Sequence, residues 1–144
     1  MVAKTFGDAR GAEKAFAAAR PNAVRITQEQ PDYAPGWLIV GLLDAGLGHK
    51  SDAIAEGRRA RELLPISKDA FDGPIYATYL AMIYAWVGEK DLALEELKLS
   101  ASTPGGVQYG VLKLSPNWDS LRGDPRFEKI VISLARKAAP QPAG

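Results

Sequence analysis

One stretch of this chain recurs 40 residues later. The two copies share four landmarks of small residues, and each landmark is matched 40 positions on: Gly41 with Ala81, Gly48 with Gly88, Ala53 with Ala93, and Ala60 with Ser100. A period of this size is typical of stacked-repeat proteins, in which each unit buries its apolar face against its neighbours. The chain is therefore expected to form an array of repeated units.

Each copy predicts a pair of helices. The first helix of residues 32–65 carries two stripes, with Leu38, Leu42 and Ala45 on one and Val40, Gly41 and Asp44 on the other. A more charged helix follows, and Pro65 ends it. Residues 73–104 repeat this order, with Gly88 between the two helices. Small residues at matched positions allow two antiparallel helices to approach closely.

Residues 8–31 predict a partial repeat, equivalent to the second helix of a preceding unit. Its apolar side is expected to consist of Ala12, Phe16, Ala19, Ala23 and Ile26. Pro21 predicts a kink or a break, because proline cannot donate the amide hydrogen bond to the Ala17 carbonyl. No first-helix partner is recognisable before this segment, which leaves open whether the chain is part of a longer protein.

Residues 107–137 predict a C-terminal cap of helices. Ser115-Pro116 and Asp124-Pro125 each have a capping residue followed by a first-turn proline. The segment supplies large apolar side chains, namely Tyr109, Leu112, Trp118, Leu121 and Phe127. We expect them to seal the last repeat, and filling of the binding groove is the alternative. Residues 138–144 are expected to be disordered.

The duplicated pattern resembles the tetratricopeptide repeat, a family of 34-residue helix pairs. The resemblance is carried by Trp37, Val40, Gly41, Asp44, Gly48, Ala53, Ala60 and Pro65 in the first copy and by Ala77, Leu80, Ala81, Tyr84, Gly88, Ala93 and Ser100 in the second. Ala77 replaces the usual Trp, Asp44 replaces the usual Tyr, and residues 66–73 lengthen the linking loop. The resemblance implies an all-α, right-handed superhelix of antiparallel helix pairs with C-terminal capping helices. Residues 114–127 resemble the end of such arrays in bacterial multidomain regulatory proteins.

Composition argues against several classes of function. The 18 Lys and Arg residues balance 17 Asp and Glu residues, so a broad basic surface for nucleic acid is not expected. The chain has no cysteine, which removes disulfides, thiol nucleophiles and Cys-based metal sites. The first 30 residues contain no apolar signal segment, and no run approaches the ~20 apolar residues of a membrane helix. A cytoplasmic protein without membrane contact is expected.

Catalysis, a cofactor and a metal are not predicted. His49, the only histidine, is expected to be an exposed turn residue. Asp69 and Asp72 are expected to form a turn, and the arginines within residues 58–61 are expected to lie on a solvated helix face. The sequence therefore predicts a protein that is not an enzyme.

The resemblance implies a binding surface, because the first helices of this family line a concave groove. It places six residues there: Leu38, Leu42 and Ala45 from the first copy, and Thr78, Met82 and Trp86 from the second. The Lys and Asn side chains that hold a peptide carboxylate are absent, which disfavours a chaperone-tail clamp. Methionine adapts its shape and tryptophan is a common binding anchor, so an amphipathic helix or an apolar peptide is the expected partner.

The predicted function is therefore a non-catalytic protein-interaction module or scaffold, as the regulatory part of a larger protein. A structural element for homo-oligomerisation, through an exposed apolar face that pairs with itself, is the alternative. Repeat helices bury two faces, so a third interpretation is that several of the six residues are plain core.

Overall fold

The computed structural model describes residues 8–140, and this range contains helices and no strand. The elements are α1 (Ala9–Glu29), α2 (Ala34–Leu47), α3 (Lys50–Leu63), α4 (Gly73–Trp86), α5 (Lys90–Ser102), α6 (Tyr109–Leu114), a 3₁₀-helix (Pro116–Leu121) and α7 (Pro125–Ala138). The prediction of an all-α fold is confirmed. Of the tail expected to be disordered, Ala138 is the last residue of α7, and residues 141–144 lie outside the described range.

Helices α2 and α3 pack along each other, as do α4 and α5. Short turns join each pair, so the two helices of a pair run antiparallel. Gly48 and Gly88 lie in these turns with φ of +80° and +86°, a left-handed conformation that favours glycine. The amides that follow the two first helices bond equivalent carbonyls, those of Asp44 and Ala45 in one pair and of Tyr84 and Ala85 in the other. The duplication thus extends to the hydrogen bonds that end the first helices.

Gly41 allows α2 and α3 to approach closely. A Cβ atom added at Gly41 would lie 3.1 Å from the Gly57 nitrogen and 3.4 Å from the Ala53 carbonyl oxygen. The counterparts in the second pair, Ala81 and Ala93, are both fully buried in one hydrophobic core. Small residues therefore bring the two helices together in each pair, as their spacing predicted.

Helix α4 links two hydrophobic cores. Its Ile83 is buried in the first core, together with Leu38, Ala45 and Ala53. Its opposite side contributes to a second core formed with α5 and the C-terminal segment. Because one helix supplies both cores, the two helix pairs are packed as continuous neighbours.

The C-terminal segment covers the far side of the α4–α5 pair. Trp118, Leu121 and Phe127 are fully buried in the second core. The 3₁₀-helix packs on α4, and Ser120 Oγ donates a hydrogen bond of 3.2 Å to the Ala85 carbonyl. Helix α7 packs on α5 and α6. Trp118, Leu121 and Phe127 of this segment are thus buried against the second pair.

Helix α1 differs in two respects from the expectation. It continues through Pro21 to Glu29 without the expected break. Pro21 and Ala17 are both exposed, so solvent reaches the backbone that proline leaves unbonded. The expected burial of Ala19 is wrong because Ala19 is exposed, and its neighbour Arg20 lies on the packed side instead.

Residues 64–72 form the turns that lengthen the link between the two pairs. Asp69 Oδ1 accepts hydrogen bonds of 2.9 Å from the amides of Phe71 and Asp72, which confirms Asp69 as a turn former. Asp72 is the N-cap residue of α4, and Pro74 stands in the first turn of that helix. The insertion therefore leads directly into α4.

Candidate functional site

The six predicted groove residues differ in accessibility. Leu38 and Ala45 are buried, whereas Leu42, Thr78, Met82 and Trp86 are half-buried. A buried side chain presents little surface to a partner. The accessible part of the predicted groove therefore consists of the half-buried residues.

The structure places four of the six side chains in one apolar group. Leu38, Leu42, Ala45 and Trp86 belong to the first core or pack against it. Met82 packs against the second core. Helices α2 and α4 also pack against each other, which brings the first helices of the two pairs side by side. We call Leu42, Met82 and Trp86 together the α2–α4 face.

Thr78 has a different role from the other five. Its hydroxyl donates a hydrogen bond of 3.0 Å to the Pro74 carbonyl and lies 2.7 Å from Ser100 Oγ on α5. Ser100 in turn accepts a hydrogen bond of 2.9 Å from the Val107 amide. The Thr78 hydroxyl is therefore engaged in hydrogen bonds within the second pair.

A buried polar cluster, which the sequence did not predict, joins α1 to α2 and α3. The side chain of Asp44 is 0% exposed. Arg20 donates two hydrogen bonds to it, from Nε to Oδ1 at 2.5 Å and from Nη2 to Oδ2 at 2.9 Å. His49 Nδ1 lies 2.8 Å from the same Oδ1. Burial alone would raise the pKa of Asp44, but the bonds from Arg20 and His49 outweigh it and lower the pKa.

Glu56 on α3 completes this cluster. Burial and the adjacent charge of Asp44 raise the pKa of Glu56 to about 8. Its Oε2 atom is buried and has no hydrogen-bond partner within residues 8–140. The Glu56 carboxyl therefore favours its neutral form more than an ordinary glutamate does, while Asp44 favours its ionised form. We refer to Arg20, Asp44 and Glu56 as the α1 cluster.

His49 is exposed in the turn between α2 and α3, as expected, and its ring also binds Asp44. The expectation for the arginines of α3 needs correction. Arg61 is only 17% exposed, because it lies beside Glu96 on α5, with Nε and Oε2 3.6 Å apart. Arg58 is exposed, yet its Nε donates a hydrogen bond of 2.8 Å to the Tyr84 hydroxyl. Arg58 and Arg61 therefore connect the two successive helix pairs and do not lie only on a solvated face.

The described part of the chain contains no group of three or more His, Cys, Asp or Glu residues placed to hold a metal ion. Within the same residues, no helix combines the length and the apolar character that crossing a membrane requires. The α1 cluster itself supplies two carboxyl groups, and its guanidinium neutralises one of them.

Two cavities lie at the C-terminal end. One, of about 560 Å³, is lined by residues 101–110 and by Leu134, Lys137 and Ala138. The other, of about 430 Å³, lies between α6 and α7 and includes Tyr109, Lys113 and Ile132. None of the six predicted groove residues lines either cavity.

No family model, curated protein or solved structure matches this chain. Functional proposals therefore depend on the geometry of the helix pairs and on the repeated pattern of the sequence.

Proposed function

We propose that this chain is a non-catalytic module of the tetratricopeptide type that binds a peptide or a partner protein on the α2–α4 face. The observation that supports this most is the arrangement of two equivalent helix pairs whose first helices lie side by side. They leave Leu42, Met82 and Trp86 half-buried, so these side chains keep surface for a partner. In a superhelix of such pairs, this face would be the concave side.

The charges of the two helices indicate the chemistry of the partner. Helix α4 contains no Asp, Glu, Lys, Arg or His, and α2 contains one charged residue, the buried Asp44. A ligand on the α2–α4 face would therefore gain affinity from apolar contact and shape. An amphipathic helix whose apolar stripe faces α2 and α4 suits such a surface, and Met82 and Trp86 would serve as anchors.

The proposal also includes the cellular location of the protein and the larger protein to which it belongs. We propose a cytoplasmic scaffold that acts as the regulatory part of a larger protein, because the C-terminal segment resembles the end of arrays in multidomain regulators. No nucleic acid, membrane or cofactor takes part in this proposed role.

Panning a displayed library of helical peptides against the chain tests the binding proposal. Peptides enriched on the wild type are expected to bind Met82→Asp and Trp86→Ala about tenfold more weakly or worse, a loss of ~1.4 kcal/mol or more. Leu99→Asp is the matched control, because Leu99 is an exposed apolar residue on a second helix, α5. Circular dichroism verifies that each variant is folded. Equal binding by all variants, or loss in Leu99→Asp alone, would reject the α2–α4 face.

Self-association is the second candidate function, and one observation favours it. The C-terminal helices expose large apolar side chains, with Leu114 78% exposed and Ile132 53% exposed. If this surface pairs with a second copy, sedimentation velocity will show a concentration-dependent dimer that Ile132→Asp dissociates. A strict monomer at all concentrations would reject self-association.

A further inference from the structure

The two cavities at the C-terminal end lie along α7, one after the other. The cavity of about 430 Å³ is lined on α7 by residues between Glu128 and Ala135. The cavity of about 560 Å³ is lined on α7 by residues between Leu134 and Ala138. The remaining lining residues come mainly from α6 and from the loop that connects α5 to α6. Tyr109 lines both cavities, so they are neighbours, and we call the two together the α7 cleft.

The α7 cleft is long enough for a short peptide and is lined by apolar side chains. Each cavity volume lies within the range that is typical of ligand pockets. The part of α7 along the cleft is about 15 Å long, which matches roughly four to five residues of an extended peptide. Val131 and Ile132 line one cavity, and Val107 and Leu134 line the other. Two apolar side chains of a short segment can therefore enter the two cavities.

The C-terminal segment that forms the cleft carries an excess of positive charge. Residues 107–140 contain six Lys and Arg residues and three Asp and Glu residues, whereas residues 65–106 contain three and six. The acids of the C-terminal segment are Asp119, Asp124 and Glu128, and each already accepts a hydrogen bond from a group of the same segment. Of these acids only Glu128 lines the cleft. The segment therefore holds more cations than its own carboxylates can pair with.

Two lysines line the α7 cleft without a charged partner. Lys113 lines the smaller cavity and donates a hydrogen bond of 2.7 Å to the Tyr109 hydroxyl. Lys137 lines the larger one and donates a hydrogen bond of 2.9 Å to the Ala101 carbonyl. Both acceptors are neutral, and within residues 8–140 no ion pair joins either lysine to a carboxylate. The positive charge of both lysines is therefore open to a partner.

We propose that the α7 cleft binds a short acidic segment of a partner protein, which places apolar side chains in the two cavities and carboxylates beside Lys113 and Lys137. Charge complementarity favours this occupant. A second copy of the chain placed symmetrically on the cleft would bring the same excess of positive charge against it. A flat anionic surface would satisfy the lysines but would leave the two cavities unfilled.

The α7 cleft is distinct from the α2–α4 face, because none of Leu42, Met82 and Trp86 lines it. The two surfaces also differ in chemistry. A ligand of the α2–α4 face would gain affinity from apolar contact, whereas a ligand of the α7 cleft would also gain it from charge. Binding to the cleft should therefore weaken as the salt concentration rises. The proposal does not depend on the α2–α4 face binding any ligand.

Gly110 provides a way to fill the cleft without disturbing the fold. It lines the larger cavity, its φ is not left-handed, and an added Cβ atom would meet no other atom within 4 Å. A leucine side chain at this position would extend into open space at the edge of the cavity, and leucine favours a helix more than glycine does. Gly110→Leu is therefore expected to block the cleft and to be at least as stable as the wild type.

Selection from a displayed library of short peptides tests the proposal. The library is first depleted on the double variant Lys113→Glu/Lys137→Glu, which keeps the α2–α4 face, and the remainder is selected on the wild type. The surviving peptides are expected to be rich in Asp and Glu and to contain large apolar residues. They should bind the double variant about tenfold more weakly or worse, and lose affinity as salt rises. Lys98→Glu, a matched charge reversal at an exposed position outside the cleft, should bind them like the wild type.

Gly110→Leu separates loss of the cleft from loss of the fold. It should bind the surviving peptides about tenfold more weakly or worse while its Tm stays at or above that of the wild type. If circular dichroism shows that the double variant does not fold, depletion on Gly110→Leu replaces it. The absence of survivors, survivors without an excess of acidic residues, or equal binding by Gly110→Leu would overturn the proposal. A wild-type dimer in sedimentation velocity that Gly110→Leu dissociates would assign the cleft to a second copy and overturn it as well.

Discussion

The two helix pairs place different side chains at one equivalent position of their first helices. In the first pair the residue is Asp44, and in the second it is Tyr84, 40 residues later. Both are buried, and each binds an arginine from the preceding helix: Arg20 of α1 reaches Asp44, and Arg58 of α3 reaches Tyr84. The same connection between neighbouring units is thus made once with a charge and once with a neutral hydroxyl.

This difference has energetic consequences. A buried carboxylate that loses its cation is left as an uncompensated charge, whereas a buried phenol that loses a donor keeps a neutral group. Arg58 also lies over the Tyr84 ring, 5.8 Å from its centroid, in an exposed position where such contacts are weak. The first connection is therefore expected to be strong and to weaken only when acid protonates Asp44, whose pKa is lowered, and the second is expected to be weak.

The second helices of the two pairs also carry different residues at one equivalent position, Gly57 in the first pair and Leu97 in the second. Gly57 on α3 has no side chain, and its space is filled by Leu80 and Ile83 from α4. Its counterpart Leu97 on α5 is fully buried and fills the core itself, next to the C-terminal segment. An internal unit thus receives side chains from the next unit, while the last unit supplies its own.

Among the variants that test this comparison, Trp118→Ala is expected to lower the free energy of unfolding most. The side chain is fully buried in the second core, and loss of such a residue costs about 4 kcal/mol of unfolding free energy. Urea unfolding followed by circular dichroism measures it. Trp37→Ala is the control, because Trp37 is only half-buried in the first pair and should cost less. A loss below that of Trp37→Ala would mean that the C-terminal segment does not support the second pair.

Arg20→Ala is expected to cause the next largest loss of unfolding free energy. It should cost about 3 kcal/mol, because it leaves Asp44 buried without its cation. Arg58→Ala should cost about 1 kcal/mol, the value of an ordinary hydrogen bond. Chemical unfolding of the two variants at pH 7 compares them directly. Equal losses would show that the charge of Asp44 makes no difference between the two connections.

Ser100→Ala tests a polar contact that the first pair lacks, since its counterpart is Ala60. Ser100 Oγ accepts from the Val107 amide, and removing it leaves that buried amide without this acceptor. A loss of about 2 kcal/mol is expected. Thermal unfolding measures it, with the exposed Ser102→Ala as the control. If the two serine variants are equally stable, the Thr78–Ser100–Val107 contact does not stabilise the second pair.

Gly48→Ala and Gly88→Ala are expected to have the smallest effects, and the two should be equal. Each glycine has a left-handed φ and open space around it. Replacement by alanine therefore causes no steric clash and costs only backbone strain, about 1 kcal/mol of unfolding free energy. The two losses can be compared by urea unfolding. A clear difference between them would show that the two turns are not equivalent.

Much of the fold followed from residue spacing alone. Glycines and prolines predicted where helices end, and the sequence predicted Asp124 as a cap; its Oδ1 accepts from the Arg126 amide at 2.9 Å. Such signals are local, because a capping residue acts within one turn of its own helix. Spacing did not predict that α1 passes through Pro21, since that depends on which side of the helix meets solvent.

The polar cluster could not be predicted from period or composition. Arg20 is one residue away from Ala19, which the pattern assigned to the buried side, and a helical period does not resolve one position in a short segment. One signal was available. Asp44 lies on a stripe of buried residues, and a carboxylate there requires a cation. Which cation it finds depends on how α1 crosses α2, a tertiary contact that the sequence pattern does not contain.

The side chains of the proposed binding face were identified only through the family resemblance. Leu42, Met82 and Trp86 are half-buried, which agrees with a role as contact residues, whereas Leu38 and Ala45 are core residues. The pattern did not distinguish these two groups, because a first helix of a stacked repeat is apolar on more than one side.

The most direct test of the proposed function uses the indole NH signals of the three tryptophans, Trp37, Trp86 and Trp118. A peptide selected on the chain is titrated into ¹⁵N-labelled protein, and two-dimensional NMR follows each indole signal. Binding on the α2–α4 face predicts that the Trp86 signal shifts in a saturable manner while the signal of Trp118, buried at the C-terminal end, stays in place. A saturable shift of Trp118 with Trp86 unchanged would contradict the account.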